Sequence, residues 1–94
     1  MARILVRHRV KDFSAWKKVY TAHAPARTAA GFTHSRVSQA ADDPNHVVIQ
    51  FECKDLAAAQ RFTQSQDLKE AMQRAGVIEA PDIYFLTDGE TFSS

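Results

Sequence analysis

The 94 residues include one cysteine, three glycines, three prolines and one tryptophan. A lone Cys53 cannot close an internal disulfide, so the fold must rest on its core, and a reducing compartment suits it. Gly31, Gly76 and Gly89 lie far apart in the sequence, which leaves no Gly-x-Gly pair to cradle a phosphate. An excess of one charge is also missing. The 12 Lys and Arg against 11 Asp and Glu leave +1, a field too weak to demand nucleic acid or an anionic membrane as partner. Apolar runs reach only strand length, so no membrane span is expected. The strand pattern that starts directly after Met1 does not read as a secretory signal, and cytoplasmic residence is the expectation. Residues 1–94 are expected to form one domain with a modest core, without repeat or linker.

What is present is an order of elements. From Ala2 to Val10 the residues alternate, with Ile4, Val6, His8 and Val10 on one face and Arg3, Leu5, Arg7 and Arg9 on the other, the mark of a half-buried strand. Asp12 offers an N-cap, and Phe13, Trp16, Tyr20 and His23 follow on one helical stripe. Pro25 should break that helix, and a short piece from Ala26 to Ala30 should stop at Gly31. Phe32 to Ala41 predicts a second strand, Asp42-Asp43-Pro44-Asn45 a turn around Pro44 and Asn45, and Val47, Ile49, Phe51 and Cys53 the apolar face of a third strand. Asp55 should cap a helix carrying Leu56, Ala59 and Phe62 inward. Asp67 and Glu70 suggest a capping box that restarts a helix through Leu68, Ala71 and Met72 up to Gly76. Ile83 to Thr87 predicts the last strand, and residues 88–94 a polar tail.

The order β-α-β, turn, β-α-β predicts an α+β ferredoxin-like split β-α-β sandwich: a four-stranded antiparallel sheet with its helices on one face. The second sheet face would carry Leu5 and Val48 among Arg3, Arg7, Arg9, Gln50 and Glu52. That half-apolar face favours a homodimer through the sheet over a solvated surface, with Arg7 or Arg9 opposite Glu52. An RNA-recognition domain has the same element order, but it needs aromatic residues on these very positions, so nucleic acid is excluded as partner.

Chemistry is sparse and concentrates on histidine. His8 interrupts an apolar strand face that points at the helices, where it is either a core histidine bonded to a helix residue or a proton-transfer group in a pocket. Trp16 and Tyr20 share its side, as core packing or as the wall for a flat ligand. His23 and Arg27 could hold an anion at a cavity mouth, and His34 with Arg36 a carboxylate, unless the latter two sit on the outer face of their strand. Cys53 continues an apolar row and reads as a buried, inert thiol. The four histidines show neither His-x-His nor His-Glu-x-x-His spacing, so no metal is expected.

The run Val6-Arg7-His8-Arg9-Val10-Lys11-Asp12-Phe13, with Trp16-Lys17, His23, Arg27, the Asp42-Asp43-Pro44-Asn45 turn, Ser65-Gln66-Asp67-Leu68, Ala71-Met72, Ala75-Gly76-Val77 and Pro81 to Leu86, resembles small bacterial proteins of the dimeric α/β-barrel superfamily. These are labelled antibiotic-biosynthesis-monooxygenase-like or cyclase-like. The resemblance spans nearly the whole chain and implies a homodimer whose two sheets face each other in a barrel. It implies a small-molecule cavity between each sheet and its own helices, and no cofactor. Monooxygenases of the superfamily pair a tryptophan with an asparagine, as do its haem-degrading relatives; here the only asparagine is Asn45, in the turn. Cyclases and isomerases of the superfamily use histidine and tyrosine, which points to His8 and Tyr20 as the catalytic candidates. Trp16, His23, Arg27, His34 and Arg36 are then the pocket candidates. The resulting expectation is cofactor-free isomerisation or cyclisation of a small cyclic or aromatic metabolite, with oxygenation second. The alternative is a non-catalytic ligand-binding or stress-associated dimer.

Overall fold

A computed structural model describes residues 2–87 and 89–93. The elements run β1 (Ala2–Arg9), α1 (Phe13–Ala22), α2 (Ala24–Ala29), β2 (Phe32–Ala40), β3 (Asp43–Cys53), α3 (Leu56–Thr63), α4 (Gln66–Arg74) and β4 (Asp82–Leu86). Hydrogen bonding orders the strands β2-β3-β1-β4, all antiparallel, with β1 and β3 at the centre. The helices pack on one face, so the architecture is the α+β ferredoxin-like sandwich expected. Residues 88 and 94, which bound the expected polar tail, lie outside the described residues.

The core forms where the inner sheet face meets the helices. Ile4, Val47, Ile49, Phe51 and Cys53 supply the sheet side, and Trp16, Ala59 and Ala75 the helix side. Each large side chain buried there contributes about 1.5–3 kcal/mol, which is how a chain this short holds together without a disulfide. Small residues at 59 and 75 let helix backbone approach the sheet.

Local caps set the helix starts. The Asp12 carboxylate accepts from the Ala15 amide at 2.9 Å, and Asp55 accepts from Ala57 and Ala58. For α4 the cap is Ser65, whose hydroxyl accepts from the Leu68 amide at 3.1 Å, not Asp67 as the sequence suggested. Asp67 instead sits in the first turn, where its charge favours the helix dipole. Gly76, at φ +79°, ends α4, and its carbonyl accepts from the Lys11 amide, drawing the following segment alongside the end of β1.

The turn between β2 and β3 also differs from expectation. It is a tight one at Ala41 and Asp42, and Pro44 and Asn45 already belong to β3. Pairing with β2 jumps from Ala40↔Asp43 to Gln39↔Val47, so residues 44–46 make no ladder to β2 and the missing N–H of Pro44 costs nothing there. Asn45 is freed for another task. Its side-chain oxygen accepts from the Phe13 amide at 2.9 Å and its amide nitrogen approaches the Lys11 carbonyl at 3.4 Å, tying the start of α1 to β3.

On the outer face the ion pairs also depart from the expected scheme. Arg3 lies opposite Glu52 in register, whereas Arg7 donates through Nε to Asp82 at 3.0 Å and Arg9 pairs with Asp43 and Glu79. Neither Arg7 nor Arg9 meets Glu52, because the antiparallel register sets them against Val48 and His46. Beside Leu5 and Val48 that face also presents Tyr84, directly opposite Leu5 and 51% exposed, and the exposed Leu86.

Candidate functional site

Between the inner sheet face and the helices lies a cavity of about 80 Å³. Ile4, Val6 and His8 of β1 form its floor, Trp16, Val19 and Tyr20 of α1 one wall, and Phe62, Leu68 and Met72 of α3 and α4 the other. His23 and Arg27 also line it. His8 is its most unusual member. It is 4% exposed, and neither ring nitrogen has a hydrogen-bond partner among the described residues. The ring is not bonded to a helix residue among the described residues, and it lines the cavity. Burial pushes its pKa down to about 4, against a weak opposing pull from Glu79, so the ring is neutral at pH 7.

Aromatic rings surround that imidazole. Trp16 meets it edge-on at 5.7 Å, and Phe13, Trp16 and Tyr20 stack in sequence along α1, with centroids 5.6 and 4.7 Å apart. Their spacing of three and four residues on one helix produces this column. Burial raises the pKa of Tyr20, opposed by its hydrogen bond to Ser35 and by Arg27 nearby. The Tyr20 hydroxyl and the Ser35 hydroxyl lie 2.6 Å apart. The Arg27 guanidinium lies 3.6 Å from the Tyr20 ring centroid and donates to the Tyr20 carbonyl at 2.7 Å.

His23 ends α1 and begins α2, the break that Pro25 signalled. Its Nε2 is 2.9 Å from the Asp67 carboxylate, which joins this corner to α4. An anion at the mouth would therefore meet Arg27, because His23 is already engaged.

His34 and Arg36 do not line the cavity. Counting by twos from the inward Phe32 would bring both inside, but β2 carries a bulge between Thr33 and Arg36. There His34 takes φ +52°, and two residues stand where the partner strand has one. The bulge reverses the alternation. His34 reaches Glu52 at 2.7 Å and Arg36 pairs opposite Gln50, while Ser35 turns inward to Tyr20. Ser35 escaped the sequence reading because only the bulge turns it inward. Phe62 and Met72 were legible as inward helix positions, yet nothing in the sequence marked them as cavity wall.

Cys53 is fully buried in the core, and burial raises its thiol pKa. Among the described residues no three His, Cys, Asp or Glu side chains converge as a metal would require.

No protein-family profile matches the chain, and no curated protein matches it in sequence. Solved structures do match. A Bordetella bronchiseptica protein named as a candidate antibiotic biosynthesis monooxygenase superposes with a TM-score of 0.79 at 13% identity, over 95% of this chain and 97% of its own. SnoaB, a cofactor-independent oxygenase from Streptomyces nogalater, gives 0.77 at 15% identity, over 99% and 97%. A candidate antibiotic biosynthesis monooxygenase from Nitrosomonas europaea gives 0.70 at 18%, over 94% and 98%. What they share with this chain is the fold. It is the fold of the antibiotic-biosynthesis-monooxygenase-like proteins that the sequence resembled, and it spans nearly the whole of each chain. Among the described residues no helix is long and apolar enough to cross a membrane.

Proposed function

We propose that this protein is a cofactor-independent enzyme that moves a proton on a small cyclic or aromatic metabolite, with His8 as the proton acceptor. The observation that carries this reading is the buried, unpartnered imidazole facing an aromatic-lined cavity. A polar group without a partner in such surroundings costs about 1–3 kcal/mol, a penalty that a ligand hydroxyl or carbonyl would relieve. A base whose conjugate acid has a pKa near 4 is weak in water. In a dry cavity it gains when the proton it takes leaves an anion beside it, because imidazolium and anion then stabilise each other at short range. Return of that proton to a different atom of the substrate completes an isomerisation or a ring closure. Trp16 would hold the ring flat and Tyr20 would hydrogen-bond the ligand.

The fold shared with SnoaB supports chemistry without a cofactor. The half-apolar outer face, with Leu5, Val48, Tyr84 and Leu86, supports a homodimer that covers it, and the balanced charge fits a small-molecule substrate inside a cytoplasmic protein. One observation favours a second reading, ligand binding without turnover: about 80 Å³ is less than the roughly 150 Å³ that admits benzene in an engineered apolar cavity, so a ring enters only as the walls move. Mass spectrometry of small molecules retained by the native protein would identify candidate substrates. His8→Phe should then keep the fold and lose about 100- to 10,000-fold in turnover. Unchanged turnover in the folded variant would remove His8 as the proton acceptor, and retained molecules that the native protein binds without converting would leave the binding reading in its place.

A further inference from the structure

Arg27 occupies an unusual electrostatic position. Arg3, Arg7 and Arg9 each have a carboxylate within 4 Å, and Arg36, Arg61 and Arg74, which have none among the described residues, are exposed to water; Arg27 also has none among the described residues, yet it is half-buried. Among the described residues its one hydrogen bond goes to the Tyr20 carbonyl, which leaves most of its five donors unspent there. A partly desolvated cation without an anion is a costly arrangement, and burial here lowers the Arg27 pKa, opposed by Tyr20.

The same side chain stands between two spaces. On one side is the His8 cavity; on the other is an open cleft of about 450 Å³, bordered by Thr28, Phe32, Thr33, His34, Ser35 and Phe51. Arg27, Phe32 and Phe51 line both. The cleft is the more polar of the two, with three hydroxyl-bearing residues, and the Thr33 hydroxyl is buried without a partner among the described residues. The geometry points to Arg27 as the anchor for a carboxylate on a ring-bearing ligand, with the ring towards His8 and the carboxylate at the junction with the cleft.

A carboxylate fits better than a phosphate. The guanidinium fork matches its two oxygens, and Arg27 is the cation at this junction without a carboxylate partner among the described residues, one positive charge for one negative charge. The other basic side chains nearby are engaged, His23 with Asp67 and His34 with Glu52. Stacking of Arg27 on Tyr20 holds the fork in place beforehand, and a shift of this pair would enlarge the 80 Å³ cavity towards the cleft.

This assignment rests on the reading of the His8 cavity as a ligand site, and it can fail separately from it. The test compares 2-naphthoate with 2-naphthamide by calorimetry on the wild-type protein and on Arg27→Met, with the His8 ring nitrogens followed by NMR. The acid should bind at least tenfold tighter than the amide. Arg27→Met should remove that preference, with acid affinity falling at least tenfold further than amide affinity. Equal binding of acid and amide by the wild type overturns the assignment whether or not the variant folds, and so does binding of neither. Arg27-dependent acid binding that leaves the His8 nitrogens unmoved upholds the carboxylate anchor and removes His8 as the proton acceptor. Perturbation of His8 by both probes alike, insensitive to Arg27→Met, does the reverse.

Discussion

The imidazole of His8 and the indole of Trp16 meet edge to face at 5.7 Å, with their planes at 78°. Both imidazole nitrogens are without a hydrogen-bond partner among the described residues. Protonating His8 would place a charge in the driest part of the molecule, which is why its pKa falls from 6.5 to about 4. The unfolded chain binds the proton more readily, so the stability linked to His8 is complete above pH 6.5 and is lost as the pH falls towards 4. The loss is on the order of 3 kcal/mol. Phenylalanine keeps the contact with Trp16 and removes the titration. Urea midpoints at pH 7 and pH 4.5 should therefore fall further for wild type than for His8→Phe, and equal falls would show that His8 protonates without penalty.

Asn45 is expected to matter out of proportion to its exposure, because it links β3 to the first turn of α1. Asn45→Ala should cost about 1–2 kcal/mol, the usual range for losing such a backbone-bonding side chain. Asn45→Asp retains an acceptor for the Phe13 amide and should recover part of that loss. Denaturation midpoints, with hydrogen exchange at Phe13, would check both, and an Asn45→Ala protein as stable as wild type would rule the linkage out.

The α2 segment should be the most readily opened part of the helical layer. It is six residues long, has no side-chain cap and buries none of its residues, whereas α1 is capped by Asp12 and buries Trp16. Amides from Ala24 to Gly31 should exchange faster than those of α1 by tenfold or more, since short helices hold few cooperative bonds. Because Arg27 rides on α2, the same opening would free the cavity mouth. Uniformly slow exchange across residues 13–31 would contradict this.

Association through the outer face makes a further prediction. A sheet-sized contact would bury roughly 1,500 Å², the range of specific interfaces, and sedimentation should give a dimer at micromolar concentration. Tyr84→Glu would place a charge within that contact, on the edge strand β4 beside Leu5, while lying outside the core, so it should shift the protein to monomer and change thermal stability of the isolated fold little. A wild-type monomer at all concentrations would refute the dimer.

Much of the fold was legible because its signals are local and periodic. The alternation of β1, the stripe of Phe13, Trp16 and Tyr20, and the caps at Asp12 and Asp55 each depend on neighbours within a few residues, and each reappears in the structure. Legibility ended where a long-range bond competed with a local preference. Asn45 favours turns, but the Phe13 amide claimed it, and the turn formed at Ala41 and Asp42 instead. Asp67 favours caps, but Ser65 stood two residues earlier and Asp67 went to His23. For the candidate site, strand and helix periods put His8, Trp16, Tyr20 and His23 on one side, and these four line one cavity together with Arg27, which lies beyond the break in the helix. His34 and Arg36 do not, because a bulge leaves no mark in hydrophobic alternation that a reader could count.

That bulge has a mechanical corollary. Ser35 grips the tyrosine of the inner chamber, and its immediate neighbour His34 grips Glu52 on the opposite side of the sheet. One peptide unit separates the two contacts, so the kink ties the two faces of the sheet together at a single point. Deleting the bulge would return His34 to the inner face and Ser35 to the outer, and both contacts would be lost together.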